Sequence, residues 1–184
     1  MTTNPPDLTS LHGYRLDKNF DIFAAEGATY VARVIMVRRG DGGQGSPLHH
    51  FFYGSTELRE IALRPGVYIL VGTDEENRPA VYVGQSEHVC HRLDAHNKSV
   101  LANKIPRRMH QWHTVFVCNT FNHFMHDNRF AVEKHLYHKA KASKKYQVRN
   151  KQFGPLTTSP YRADECGLVV AQFERLLSFF GFSF

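Results

Sequence analysis

The sequence has only three cysteines, Cys90, Cys118 and Cys166, an odd number with no CxxC pair. That argues against a disulfide framework and a zinc ribbon, and it suits a reducing cytoplasm. No apolar run approaches the ~20 residues needed to span a bilayer. The opening MTTNPPDLTS lacks a basic region followed by an apolar block, so no signal peptide is expected. There is no internal repeat, and no low-complexity block beyond the Gly-rich stretch 40–47. Acidic residues are scarce in one region. Between Lys98 and Lys151 only Asp127 and Glu133 stand against twelve Lys or Arg, a net +10 in a chain of net +6. A basic segment inside a mildly acidic remainder points to a polyanion as partner.

What is present divides the chain. Residues 1–12, with Pro5-Pro6, read as a flexible tail. Residues 13–64 form an N-terminal elaboration. Within it, 28–39 (ATYVARVIMVRR) alternates as a strand, 40–47 is a loop, and 55–64 is a short helix capped by Ser55 and stopped by Pro65. Residues 65–151 carry the centre of the chain. Gly66 to Val71 is a strand, 72–79 a polar turn, and Ala80 to Val83 a second strand ended by Gly84. Ser86 then caps a helix bearing Arg92 and His96 on one face. The polar stretch 97–111 is a loop and 112–118 (WHTVFVC) a third strand. A connector covers 119–126, and a helix over 128–143 is capped by Asp127 or Asn128. Residues 146–148 make a short extended piece. Residues 152–184 end in a packing helix over 162–180, closed by Gly181.

Projecting the helix 128–143 at ~100° per residue groups Val132, Leu136, Tyr137 and Ala140 on one arc. Glu133 falls inside that arc, whereas Lys134, His135, His138, Lys139 and Lys141 take the other side, there to meet phosphate or solvent. An inward carboxylate is costly unless it is paired or holds a metal. The i, i+3 pairs His123/His126 and His135/His138 have no CxxC or HExxH partner, so structural zinc is not expected.

Tyr68, Tyr82, Arg92, His96, Glu133 and Asn150 are then the residues with chemistry to offer. Together they suit phosphodiester hydrolysis. A single carboxylate plus the substrate's own phosphate can hold Mg²⁺ with several waters. An arginine presents planar donors to phosphate oxygens. A tyrosine can take a proton from water only if its pKa, ordinarily ~10, is lowered.

Gly66-Val67-Tyr68 and Tyr82-Val83-Gly84, followed in order by Arg92, Glu133 and Asn150, resemble the signature of the GIY-YIG nuclease superfamily. The resemblance covers Pro65 to Lys151, with Val for the name-giving Ile in both triplets. It implies a small α/β (α+β) domain, a three-stranded, mostly antiparallel sheet flanked by helices. It also implies endonucleolytic, Mg²⁺- or Mn²⁺-dependent cleavage of DNA. Tyr68 would be the general base, Tyr82 would position phosphate or water, and Arg92 would stabilise the transition state. Glu133 would be the sole protein metal ligand, and Asn150 would bind near the phosphate or brace the site. His96 matches the histidine that some restriction-type members place one turn after the arginine. Lys98, Lys104, Arg107, Arg108, Lys144, Lys145, Arg149 and Lys151 are candidate DNA contacts within the basic segment. The alternatives are a module that binds nucleic acid without cutting it and a basic protein-interaction module.

Overall fold

Alternation along the strands decides the layers. The computed structural model describes residues 10–11, 14–22, 32–39, 63–93, 95, 111–120, 124–150 and 160–184. Its strands are β1 (Ser10–Leu11), β2 (Tyr14–Ile22), β3 (Ala32–Arg39), β4 (Gly66–Thr73), β5 (Pro79–Ser86), β6 (Gln111–Thr120) and β7 (Gln147–Val148). Helical residues 89–93, continuing at 95, make α1; α2 is Phe124–Ser143 and α3 is Pro160–Phe179. The fold is mixed α and β.

Successive strand side chains point to opposite faces. Val34, Met36, Val67, Ile69, Val81, Val83, Phe116 and Cys118 meet the apolar stripes of α2 and α3 on one face. Ile35, Val37, Tyr68, Leu70, Tyr82, Val115 and Val117 meet Val89, Cys90 and Leu93 of α1 on the other. A sheet covered on both faces explains why its strands read as nearly continuous apolar runs.

The sheet is larger than the three strands expected. Among the described residues, seven strands lie in the order β1-β2-β3-β6-β4-β5-β7, antiparallel except for the β5–β7 pair. β6, β4 and β5 lie side by side within it. β3 continues the same sheet by pairing with β6 along Ala32 to Arg38. Ser10 and Leu11, expected within a loose tail, pair with Arg15 and Tyr14. The expected strand over 28–39 is described from Ala32 onward. The helix expected at 55–64 and the loop at 97–111 fall almost wholly outside the described residues, and Leu63 and Arg64 are a turn.

Other boundaries moved for local reasons. β4 runs two residues and β5 one residue further toward their shared turn, which Asp74 closes. Its Oδ1 accepts the N–H of Glu76 and of Arg78, each at 2.9 Å, and its Oδ2 meets the Arg78 guanidinium at 2.8 Å. This Asx-type turn fixes the hairpin register that sets Tyr68 opposite Gly84. α2 begins at Phe124 rather than at 128, so Asp127 and Asn128 lie inside it and do not cap it. Burial of Met125 favours the extra turn. α3 ends as its glycine foretells. Gly181 has φ +76°, Phe182 N–H bonds Leu177 C=O at 2.9 Å, and Gly181 N–H bonds Ser178 C=O at 2.9 Å, a Schellman closure. The three cysteines are free and buried. Among the described residues no helix is long and apolar enough to cross a membrane.

Candidate active site

Tyr68 is fully buried on the α1 face of the sheet, and its ring stacks on Tyr82 with centroids 6.2 Å apart and planes at 27°. The Tyr68 ring lies directly over Gly84, its partner across the hairpin. A Cβ built on Gly84 would overlap both the hydroxyl and the ring of Tyr68. The tyrosine of one triplet and the glycine of the other are therefore one structural unit. The side chain crosses from β4 to β5 because β5 has none at that point. Gly66 is needed for a different close approach, since a Cβ there would come within 2.9 Å of the Cys118 carbonyl oxygen and 3.2 Å of Val89. Gly84→Ala is expected to cost about 1–3 kcal/mol by overpacking and to dislodge the phenol stack. Urea denaturation measures it; an unchanged midpoint would mean that Tyr68 does not cross β5 as described.

Arg92, on α1 and exposed, hydrogen-bonds both phenols. Burial opposes its charge, but the two phenols outweigh that and hold its pKa above the ordinary guanidinium value. Glu133 approaches from α2, on the far side of the sheet, and is 7% exposed, as the helical projection requires. Burial pushes its carboxyl up to about 7, against a lowering pull from Arg92. Tyr68 feels Tyr82, Arg92 and Glu133 together. Four groups from β4, β5, α1 and α2 thus share one electrostatic environment.

That environment does not prime Tyr68 as a base. Burial first, then Tyr82 and Glu133, raise its pKa, and the charge and hydrogen bond of Arg92 only partly offset them. In the protein alone the phenol keeps its proton.

Asn150 braces the site. Its Oδ1 accepts the Val83 N–H at 2.9 Å, and its Nδ2 donates to the Val83 carbonyl. Just before it, Arg149 N–H bonds Val81 C=O at 2.9 Å, continuing the parallel β5–β7 pairing. β7 is too short to cover β5 beyond Val81, so the Asn150 amide replaces the missing strand between Tyr82 and Gly84. Of the two roles implied for Asn150, the contacts support bracing.

Beside this cluster lies a cleft of about 520 Å³ lined by Gln85, Glu87, His88, His91, Arg92 and Arg129, among others. Arg129 ties its walls together. Nε donates to Gln85 Oε1 at 2.9 Å, Nη2 meets Glu87 at 2.8 Å, and Nη1 reaches the His126 carbonyl. His88 and His91 face each other across 5.6 Å, and His88 Nδ1 lies 3.1 Å from the Leu63 carbonyl oxygen. Ser86 Oγ accepts the His88 N–H at 3.1 Å, so it orders the turn ahead of α1, which starts at residue 89.

Sequence reasoning had not singled out Arg129, His88 or His91. The signal for Arg129 was available, because it lies four residues before Glu133 and therefore on the same helical face.

His96, Lys98, Lys104, Arg107, Arg108 and Lys151 lie outside the described residues. Lys144 and Lys145 are exposed at the end of α2, where Lys145 Nζ bonds Ser183 Oγ at 2.9 Å. Arg149 is partly exposed. The outer side of α2 is less solvated than expected. Lys139 pairs with Glu174 of α3 at 2.8 Å, and the Nε2 atoms of His135 and His138 are buried. Those two imidazoles are therefore poorly placed for phosphate contact.

Among the described residues no three His, Cys, Asp or Glu side chains converge on a point. A single carboxylate can hold a hard cation when water and substrate oxygens complete its shell. Glu133 fits that part. A buried carboxylate raised to about 7 gains from a neighbouring positive charge, and Arg92 only partly offsets the cost of its burial. Scans against protein-family models, curated proteins and solved structures find nothing that matches this chain.

Proposed function

We propose that this chain is a divalent-metal-dependent endonuclease of GIY-YIG type, hydrolysing phosphodiester bonds in DNA. The observation that carries the reading is the meeting of Tyr68, Tyr82, Arg92 and buried Glu133 in one interacting group. These residues are far apart in sequence, and a bare structural role would not require that particular set.

Arg92 would bind the phosphoryl oxygens, its planar donors matching their geometry as charge builds up. Tyr82 would orient the phosphate or the attacking water, and Asn150 would keep Tyr82 in place through the Val83 backbone. Glu133 would hold Mg²⁺ or Mn²⁺, which supplies positive charge to the phosphoryl oxygens and acidifies nearby water. Tyr68 would hold Arg92 in register; to act as the general base it would first have to give up its own proton, against the burial and the neighbouring Tyr82 that raise its pKa. The cleft beside Arg92 has room for the nucleotide next to the scissile bond, and the basic segment 98–151 would track the flanking backbone.

The upward shift of Tyr68 favours one second reading, a module that binds nucleic acid without cutting it. Incubation of supercoiled plasmid with Mg²⁺ separates the two. Nicking by wild type and none by Glu133→Ala supports the nuclease. Salt-sensitive binding without turnover by clean wild-type protein supports the binder.

A further inference from the structure

α3 carries a second stripe, opposite the one that packs on the sheet. Cys166, Val169, Val170, Phe173, Leu176 and Leu177 are buried. Asp164, Leu168, Ala171, Arg175 and Phe179 recur at intervals of four, three, four and four, and all are exposed. That spacing sets them in one line along the outer face. Leu168 and Phe179 stand out, at 63% and 73% exposure, on the side of the helix turned away from the core.

The charges on this line complement themselves. Asp164 and Arg175 lie eleven residues apart, about 16 Å along the axis, too far to pair within one helix. Laid antiparallel against a second copy of α3 about a two-fold axis, Asp164 of each helix meets Arg175 of the other. In the same register Leu168 of each meets Ala171 of the other, a large side chain against a small one. Next to it, nothing lies within 4 Å of where a Cβ on Gly167 would stand. Each Phe179 falls opposite the first turn of the facing helix. A surface that satisfies its own complement in this way has the property a two-fold interface needs.

We infer that two copies of this chain associate through the outer faces of α3, antiparallel, with reciprocal Asp164–Arg175 pairs flanking a Leu168–Ala171 centre. One helical face about 30 Å long buries less than the ~1,200 Å² of a standard interface, so the dimer is weak, with Kd on the order of tens of micromolar. The inference does not depend on the nuclease reading.

Sedimentation equilibrium of the full chain tests it. Wild type is expected to dimerise reversibly in that range. Asp164→Arg or Arg175→Asp alone should weaken self-association by about tenfold or more, because each sets like charges face to face. An equimolar mixture of the two variants should associate at least as tightly as wild type, since each then presents the other's complement. Leu168→Glu should abolish association without altering the circular dichroism spectrum. A wild type that stays monomeric across this range would overturn the inference and leave the stripe to another partner. Single variants that associate like wild type, or a mixture that fails to pair, would overturn it too.

Discussion

A Glu133→Gln variant is expected to lose metal-dependent cleavage by about 10³-fold or more, yet to melt higher than wild type above neutral pH. Both effects come from one property. The Glu133 carboxyl titrates near 4.5 when free and at about 7 in the fold. Between those values the folded protein holds a proton that the unfolded chain has released, so stability falls as pH rises through the interval. The full loss is on the order of 3 kcal/mol. Glutamine keeps the shape, carries no charge and loses nothing over that range. Melting temperatures of the two proteins should therefore agree at about pH 4.5 and separate by roughly 5–10 °C at about pH 8. Mg²⁺ should raise the wild-type value at the higher pH and leave the variant where it is. Identical melting at both pH values would show that Glu133 is not buried as described.

Arg92 is expected to matter nearly as much, and lysine should not replace it. The guanidinium hydrogen-bonds Tyr68 and Tyr82 together and lowers the pKa of Glu133 from across the site. A lysine ammonium offers one compact charge and cannot keep a planar fork between two phenols. Arg92→Lys should reduce kcat by about 10²-fold, and Arg92→Ala by about 10³-fold. The alanine variant should also need more Mg²⁺ for half-maximal activity, because Glu133 without its cationic neighbour holds its proton to higher pH. Raising the pH should recover part of the metal affinity but little of kcat. A loss of kcat alone, with the Mg²⁺ requirement unchanged, would mean that Arg92 and Glu133 do not share a site.

Much of this site was legible because its elements are local. Two short β-branched strands on either side of a polar turn left little freedom for Tyr68 and Tyr82. The helical projection put Glu133 inward because Val132, Leu136 and Ala140 define a single buried stripe. Pairings between distant segments were not legible. Nothing in 32–39 says that it will lie against 114–120, since strand alternation fixes a face and not a neighbour. The start of α2 was misplaced because Asp127 and Asn128 are good capping residues, while the packing of Met125 rewards an earlier start. The pairing of Lys139 with Glu174 depends on α3, a partner that projecting α2 alone leaves out. The direction of the Tyr68 pKa was beyond the sequence for a similar reason, because it depends on how deep the ring lies once Gly84 lets it cross β5.

On the proposed reading, the buried Glu133 carboxyl, raised toward neutrality and within reach of the Arg92 charge, would take up a divalent cation. Titration of ¹³C-carboxyl-labelled glutamate by NMR, with and without Mg²⁺, reads this directly, and Glu133→Gln assigns the signal. A Glu133 midpoint at about 7 is expected in metal-free protein, moving down when Mg²⁺ is added. A midpoint at the ordinary glutamate value, unmoved by Mg²⁺, would contradict it.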